Sequence, residues 1–302
     1  MTPCLNAARF IEETIESVLA QDYPNIEYIV LDGGSTDGTL EILEKYRGRL
    51  TFMSQPDRGA SEAIQRGFDM SRGEIFAYLC ADDTYHPGAI SRAIEHLQTH
   101  PEDAGVYGDA YWVREDGRTL GVYPTQDFDP ETLAAMCYIC QPTSFVRRHI
   151  FKKLGGLNTG LECSFDYDFW LRLGKRYRMG RVAGFLASSR MHRDNKTLGR
   201  RHQVFRETIA ALKRHRGYVP FQWIHGYAAY LIDGRDQFFD ALQPSFSKYV
   251  FSLLLGSYYN AGVLGRYLRE WSSVMTLPAF RRRISDGWVR RTMEALSRPA
   301  LW

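Results

Sequence analysis

The chain has 302 residues, 44% of them hydrophobic, with 38 basic and 35 acidic side chains and a net charge of +3. This length suits one large domain with an appendage, or two domains, and the near balance of charge gives no case for nucleic-acid binding. The five cysteines are few and odd in number, which favours reduced thiols in a cytosol-like compartment over a disulfide framework.

The first half of the sequence alternates helix and strand patterns. In chain order, we predict a helix at 7–21, a strand at 26–31, a helix at 39–47, a strand at 50–54, a helix at 60–71, a strand at 74–80, a helix at 88–100 and a hairpin at 104–123. This order predicts an α/β fold with a doubly wound, mainly parallel sheet. In such sheets ligands bind at the carboxyl ends of the strands.

The pattern changes near residue 200, so we predict a catalytic domain over 1–199 and a helical appendage over 200–302. The second region is mostly helical, aromatic-rich and basic near its end. Its uncharged run at 249–265 is shorter than the ~20 apolar residues that a bilayer span needs, which predicts a buried or interfacial helix. We expect no signal peptide, because the first residues lack an apolar core.

Two polar clusters each follow a predicted strand. In "LDGGSTDGT", the glycines let the backbone turn sharply towards a ligand, and Asp32 offers an acceptor to a base or ribose. A plain turn with a helix cap at Asp37 explains the same letters almost as well. In "QPDRG", Asp57 could contact a nucleoside and Arg58 a phosphate, and the alternative is a solvated turn.

Adjacent carboxylates, Asp82 and Asp83, end the apolar run "IFAYLCADD". Neighbouring carboxylates disfavour each other's ionisation, so the pair is costly unless a cation lies between them. Carboxylate oxygens suit Mg²⁺ or Mn²⁺, which bind through one or two carboxylates and substrate phosphates. The alternative is a helix N-terminus with acidic residues near its dipole.

Three later features complete the set of candidate groups. Asp166 and Asp168 lie near the start of a predicted helix, where a carboxylate facing a cleft suits a general base and dipole-favourable capping is the alternative. His192 could complete a metal shell or touch a phosphate, although a histidine on a loop is usually solvated. Cys137 and Cys140 form a C-x-x-C, but no second pair completes a zinc site.

In their fixed order these motifs resemble family 2 glycosyltransferases, which have the nucleotide-sugar-binding, Rossmann-like GT-A fold. The resemblance covers roughly residues 1–200. The matching stretches are "TPCLNAARFIEETIESVLAQ", "DGGSTDGT", "PDRG", "ADD", the acceptor-side segment "ICQPTSFVRRHIFKKLGGLN", "FDYDFWLRL" and "RMH".

Carried over residue by residue, the resemblance implies a role for each candidate. Asp166 would be the catalytic base. The donor-binding residues would be Pro3, Asp32, Asp57, Arg58 and Asp82. The ligands or near neighbours of a divalent cation, Mg²⁺ or Mn²⁺, would be Asp83, Asp82 and His192.

The resemblance also implies the reaction. A sugar would pass from a nucleoside-diphosphate donor, UDP-sugar first among them, to a hydroxyl of a saccharide or lipid-linked acceptor, with inversion. Such a protein would act in cell-surface polysaccharide or glycolipid synthesis, in the cytoplasm or at the inner face of the plasma membrane. Two alternatives stay open: a nucleotidyltransferase, although no Gly-rich signature with Arg and Lys is visible, and a non-catalytic nucleotide-sugar-binding protein.

Three departures from the family pattern carry expectations of their own. Only Met1 and Thr2 precede Pro3, so we expect the family's first strand to be missing and the true start to lie upstream, or the chain to be a shortened form. Leu5 stands where many relatives place an aromatic residue that stacks on the base. Phe165 stands where an acid often precedes the base.

The end of the chain gives a weak amphipathic pattern. Phe280, Ile284 and Trp288 share a helical face with arginines nearby, but Gly287 interrupts it. We therefore favour packing against the catalytic domain over peripheral contact of the segment from Leu277 with a membrane.

Overall fold

The structure is a computed structural model that describes residues 1–234 and 245–275. The chain separates into two compact units, whereas the sequence analysis placed a boundary between residues 199 and 200. The first unit comprises Met1–Leu133 and Cys137–Asn195, and the second comprises Ala134–Met136 and the residues from Lys196 onward.

The elements of the described chain follow the predicted alternation. In chain order they are β1 (Thr2–Cys4), α1 (Ile11–Leu19), β2 (Ile29–Asp32), α2 (Thr39–Lys45), β3 (Thr51–Ser54), α3 (Ala60–Met70), β4 (Ile75–Phe76), β5 (Thr84–Tyr85), α4 (Ala89–Thr99), β6 (Gly105–Val113), β7 (Thr119–Val122), α5 (Pro130–Ala135), β8 (Phe145–Arg147), α6 (Arg148–Lys153), α7 (Phe165–Leu173), β9 (Gly180–Arg190), α8 (Lys196–Gly199), α9 (Arg201–Arg216), α10 (Phe221–Asp233), α11 (Phe246–Tyr259) and α12 (Leu264–Met275).

Two sheets form the first unit. The first is parallel in the order β1-β2-β3, with Thr2 opposite Val30 and Ile29 opposite Thr51. The second has the order β4-β8-β6-β9-β5, with β7 added beside β6. In it β6 and β9 run parallel and the other pairs are antiparallel, so this sheet is mixed. The predicted α/β class is confirmed.

Residues 2–4 do form a first strand, so the expectation that this strand is missing is wrong. Three extended residues are sufficient to pair with β2, with Thr2 opposite Val30 and Cys4 opposite Asp32. On the other side of β1, the amino group of Met1 donates to the Ala77 carbonyl at 2.9 Å, and Leu79 N donates to the Met1 carbonyl at 3.0 Å. The backbone groups beside β1 are therefore paired.

The strand predicted at 74–80 is shorter than expected, because its pairing in β4 ends at Phe76. Beyond that point the backbone binds other partners. Ala77 and Leu79 bond to Met1, and the side-chain amide of Gln141 donates to the Tyr78 carbonyl at 2.7 Å. The chain therefore leaves the ladder well before Asp82.

The core of the first unit lies between the helices and the sheets. Helix α1 buries Ile11, Ile15 and Val18, and α4 buries its own apolar face against the same cluster. Both helices show the helical spacing of apolar residues that the sequence predicted. This packing fixes the strand ends that carry the polar clusters.

The second unit is helical. The predicted helix over 249–265 is interrupted, because α11 ends at Tyr259 and α12 begins at Leu264. The side chain of Asn260 accepts a hydrogen bond from Val219 N at 2.8 Å and donates to the Val219 carbonyl at 3.0 Å, which fixes the break. Within residues 1–234 and 245–275, no helix combines the length and the apolar character needed to cross a bilayer. The segment from Leu277 lies outside the described residues.

Candidate functional site

The first loop of the site is built around Asp32, at the end of β2. Its carboxylate is fully buried and accepts hydrogen bonds from Gly34 N at 3.0 Å, Ser35 N at 2.9 Å and Ser54 Oγ at 2.6 Å, as well as from the Ser35 hydroxyl. Burial alone would raise the pKa of Asp32, but these hydrogen bonds outweigh it and hold the pKa below its ordinary value. Asp32 thus orders the Gly-Gly-Ser turn with its own carboxylate.

Asp57 lies beside this turn and is half-buried. Its Oδ1 accepts a hydrogen bond from Gly59 N at 2.8 Å. A Cβ at position 33 would lie only 3.1 Å from Asp57 Oδ2, so the absence of a side chain at Gly33 leaves space for this carboxylate. The structure therefore brings the "DGGS" and "PDRG" motifs together at the ends of β2 and β3.

Two other predicted donor residues have different surroundings. Pro3 is buried within β1. Arg58 is exposed, and its guanidinium pairs with Glu62 on α3, with Nη2 3.0 Å from Oε1. Leu5 is 58% exposed, next to the loop that carries Asp32. An exposed leucine offers a ligand a small apolar surface in place of an aromatic ring.

The acidic pair follows the run that ends at Cys80. Asp83 is buried, and its Oδ1 accepts a hydrogen bond from Arg190 N at 2.8 Å. Burial and the neighbouring charge of Asp82 raise the pKa of Asp83 well above its ordinary value. The Asp83 carbonyl accepts from Thr14 Oγ1 at 2.8 Å, which ties this loop to α1.

His192 contacts the acidic pair from the loop after β9. Its Nε2 lies 2.9 Å from Asp82 Oδ2, and its ring packs 5.1 Å from that of Phe10. Its Nδ1 is buried and has no hydrogen-bond partner within the described part of the chain. The histidine and the acidic pair, 109 positions apart in the sequence, therefore meet at one place.

Arg190 is a buried residue of the site whose structural role the sequence did not reveal. Its Nε donates to the Asp82 carbonyl at 2.9 Å, its Nη1 to the Glu115 carbonyl at 2.7 Å, and its Nη2 to Glu13 Oε2 at 2.6 Å. The guanidinium also lies 4.8 Å from the centre of the Phe10 ring. Arg190 thus links α1, the β6–β7 turn and the acidic loop. In the sequence it is visible only as a basic residue two positions before His192.

Three groups in the acidic loop could hold a cation. Cys80, Asp82 and Asp83 each offer one ligand atom, and these three atoms lie within 4.8 Å of one another. His192 lies beside Asp82. Two carboxylates with an imidazole suit Mn²⁺ or Mg²⁺, and the thiol adds a softer donor. The residues present therefore fit a divalent cation. The sequence analysis did not identify Cys80, although its position in "LCADD" was visible.

The two acids at the start of α7 differ in their surroundings. Asp168 is buried and pairs with Arg172 at 2.9 Å, while Arg172 also donates to the Leu154 and Gly156 carbonyls, both at 2.7 Å. Asp166 is half-buried and its Oδ1 accepts from Tyr167 N at 2.7 Å. Through Arg172, Asp168 therefore fixes α7 to the preceding loop.

Asp166 and Asp83 face the same region. Both lie near the buried thiol of Cys140. Burial makes the largest contribution to the raised pKa of this thiol, and the charges of Asp83, Cys137 and Asp166 raise it further. The pKa of Cys137 rises to about 12, through burial and then through Asp166. Both cysteines belong to the segment that precedes β8, so this segment lies near the start of α7, and at Cys140 it lies near Asp83 as well.

An α/β unit with an acidic cluster beyond its strand ends is the arrangement of GT-A glycosyltransferases. The family described as Glycosyl transferase family 2 matches residues 1–155, which is half of the chain. The chain therefore belongs to glycosyl transferase family 2.

Two relatives show how far the similarity extends. An uncharacterised glycosyltransferase of Rickettsia typhi is 31% identical over 178 residues, which cover 56% of this chain and 56% of the relative. A PGL/p-HBAD biosynthesis glycosyltransferase of Mycobacterium bovis is 30% identical over 175 residues, which cover 56% of this chain and 66% of the relative. The chain thus spans less than two thirds of each relative.

Solved structures share the fold at lower identity. S. aureus TarS 1–349 in complex with UDP-GlcNAc matches with a TM-score of 0.60 at 16% identity, covering 85% of this chain and 79% of TarS. A mannosyltransferase from Pyrobaculum calidifontis in complex with GDP-Man and Mn²⁺ matches with a TM-score of 0.55 at 17% identity, covering 96% of this chain and 79% of the other. These matches support the Rossmann-like GT-A fold.

Proposed function

We propose that this protein transfers a sugar from a nucleoside-diphosphate donor to an acceptor hydroxyl, with inversion at the anomeric carbon. One observation carries the proposal. Asp83 and Asp166 come from distant parts of the sequence, yet both lie near the Cys140 thiol, whose pKa is raised first by burial and then by the charges of Asp83, Cys137 and Asp166. A candidate cation site and a candidate base therefore lie on the same region of the molecule, as a single displacement requires.

On the donor side we assign the nucleoside to the two neighbouring loops after β2 and β3. Asp57 is our candidate for direct contact with the base or ribose, because its carboxylate is half-buried and accepts only one hydrogen bond from its own loop, from Gly59 N. Asp32 would act through the turn that it orders, since its oxygens already accept from Ser35 and Ser54. A UDP-sugar is our first choice of donor, supported by the complex of TarS with UDP-GlcNAc.

The cation would be Mn²⁺ or Mg²⁺, held by Asp82 and Asp83 with Cys80 and His192 beside them. When bound, such an ion stabilises the negative charge that develops on a leaving diphosphate. The chain's own contribution is to hold the Asp83 carboxylate and the backbone of Asp82 in place. Arg190 does so through its bonds to the Asp83 carboxylate and the Asp82 carbonyl.

The chemistry that we assign to Asp166 is proton transfer. Its carboxylate would accept the proton of the acceptor hydroxyl while the oxygen attacks the anomeric carbon from the face opposite the leaving diphosphate. The bond between the acceptor oxygen and the anomeric carbon forms as the bond between that carbon and the phosphate oxygen of the donor breaks. One displacement therefore inverts the configuration. The half-buried position of Asp166 at the start of α7 leaves it room to meet an acceptor.

For the acceptor we propose a saccharide or a lipid-linked molecule of the cell envelope, on the cytoplasmic side of the membrane. The support is the name of the mycobacterial relative, which belongs to PGL/p-HBAD biosynthesis. Arg193, which follows His192 in the sequence, adds positive charge that suits a diphosphate on either substrate.

Replacing the proposed base tests the reaction. We expect Asp166→Asn to lower turnover by at least about 100-fold, since general base catalysis contributes roughly 10²–10⁴-fold, while donor affinity changes little. Turnover is measured as release of nucleoside diphosphate, and donor affinity by calorimetry.

Asp69→Asn is the matched control, because Asp69 is an exposed carboxylate on α3 and its replacement should leave both quantities unchanged. Full turnover in Asp166→Asn would contradict the assignment. Donor binding without turnover in the parent protein would instead favour a non-catalytic nucleotide-sugar-binding protein.

A further inference from the structure

Helix α11 has an unusual distribution of side chains. Its inner face buries Lys248, which pairs with Asp233, together with Tyr249, Ser252 and Gly256, and of these only Tyr249 is large and apolar. A Cβ at Gly256 would lie 1.9 Å from the ring of Tyr267, so this face is closely packed without large aliphatic residues. The fully buried face of α11 therefore does not account for all of its apolar residues.

Four large apolar residues of α11 point outwards, while Phe251, Leu253 and Leu255 are half-buried. Phe246 is 78% exposed, Leu254 63% and Tyr258 73%, with Val250 half as exposed as Phe246. Steps of four residues place these side chains in a continuous stripe along one side of the helix, which we call the α11 stripe (Phe246, Val250, Leu254 and Tyr258). Contiguous exposed apolar surface of this kind marks an interaction site.

Charge indicates what the stripe meets. Residues 196–302 carry 17 basic and 7 acidic side chains, a net charge of +10, whereas residues 1–195 carry 21 and 28, a net charge of −7. The described residues of the second unit alone carry 10 basic and 3 acidic side chains. A strongly basic unit that exposes Phe, Leu and Tyr along a helix complements an anionic lipid surface, which offers negative headgroups above an apolar layer.

We propose that the α11 stripe inserts into the headgroup region of an anionic membrane, with the basic side chains of the same unit attracted to its lipids. The helix would lie in the plane of the interface, because α11 has 14 residues and no described helix can span a bilayer. This site differs from the segment beyond Leu277 that the sequence analysis considered. It does not depend on the donor chemistry.

The test is co-sedimentation of the full chain with vesicles. We expect binding to vesicles rich in phosphatidylglycerol, weak binding to pure phosphatidylcholine, and a decline as salt rises. Phe246→Ser/Leu254→Ser should weaken the binding at least about tenfold, because the apolar part of the interaction is lost.

Two matched variants separate the stripe from general effects. Met70→Ser/Val122→Ser removes two exposed apolar residues of the first unit and should bind like the parent. Leu254→Phe changes the same position but retains the apolar surface, so this variant should also bind. If any change at position 254 simply misfolded the helix, Leu254→Phe would lose binding too. Nucleotide binding by the Ser double variant, measured by calorimetry, should equal that of the parent.

Several results would overturn the proposal. These are equal binding to both lipids, no binding to either, or undiminished binding by Phe246→Ser/Leu254→Ser. Self-association of the parent that this double variant abolishes, without lipid binding, would assign the stripe to a second copy of the chain. Failure of the parent to bind any nucleotide would contradict the proposed transferase and leave the lipid result intact.

Discussion

Asp166 and Asp168 stand two residues apart in the first turn of α7, yet their surroundings differ. Asp168 is buried in an ion pair with Arg172, and Asp166 lies near the thiols of Cys137 and Cys140. The sequence offered both as acids near a helix start. Only the position of Arg172 relative to the loop before α7 distinguishes the acid that holds the helix from the one that we propose as the base.

Asp32 allows a prediction on pH at the residue scale. Its folded pKa lies below the ordinary 3.8, so its ionised form stabilises the fold above about pH 4, and this contribution is lost as pH falls through the folded pKa. We expect Asp32→Asn to lower the free energy of unfolding at pH 7 by about 2–3 kcal/mol, because hydrogen bonds to a charged group are lost.

Denaturant unfolding of parent and variant at pH 7 and pH 3 measures this. The difference in stability should shrink as the pH falls below about 4, because the unfolded carboxyl then binds a proton while the folded carboxylate, with its lowered pKa, still resists protonation. Asp69→Asn is again a control, expected to be within about 0.5 kcal/mol of the parent at both pH values. A difference for Asp32→Asn that is as large at pH 3 as at pH 7 would show that its charge is not what stabilises the loop.

At the scale of elements, α11 is held by close packing rather than by large apolar contacts. Gly256 lies against Tyr267, whose hydroxyl donates to the Ser252 carbonyl at 2.8 Å and so cannot move freely. Asn260 ends the helix through its two bonds to Val219. Apart from Tyr249, the fully buried residues of this face are thus small or polar, and the outer face carries Phe246, Val250, Leu254 and Tyr258.

Enlarging Gly256 tests this packing. We expect Gly256→Ala to lower the free energy of unfolding by about 1–3 kcal/mol, because the added methyl overpacks the contact with Tyr267. Gly262→Ala is the control, since a Cβ there has no neighbour within 4 Å. The measurement is denaturant unfolding. A Gly256→Ala protein as stable as the control would mean that α11 and α12 are not packed as the structure shows.

The features that could be predicted from the sequence are those that depend on residues close together in the chain. Helix periodicity and the strand-end motifs gave the α/β class, because both depend on neighbouring residues. The carboxylate of Asp32 accepts a hydrogen bond from Ser54, which is 22 residues away. The guanidinium of Arg190 donates to the Glu13 carboxylate and to the Glu115 carbonyl. Such partners become neighbours only in the folded chain, so no spacing in the sequence revealed them.

Two further differences have the same origin. The uncharged run at 249–265 predicted one buried or interfacial helix, but Asn260 divides it and the outer side of α11 is exposed. An apolar sequence alone does not indicate which face packs inwards. The first strand was expected to be missing, yet three residues pair with β2, because strand pairing needs only backbone groups in register.

At the scale of the whole molecule, charge divides the chain into an acidic part and a basic part. The net charge of −7 before residue 196 belongs to the unit with the candidate active site, and the net charge of +10 after it to the helical unit. An acidic unit that binds an anionic nucleotide sugar needs a cation at its site. The cluster of Cys80, Asp82 and Asp83 is the place we propose for it.

Calorimetric titration of UDP and GDP into the protein, with Mn²⁺ and with a chelator, tests this account most directly. We predict that one nucleotide, UDP first, binds in the presence of Mn²⁺, that the chelator weakens this binding at least about tenfold, and that Asp83→Asn does the same. Asp69→Asn should bind like the parent. Binding of neither nucleotide, or binding that neither the chelator nor Asp83→Asn alters, would contradict a metal-dependent transferase.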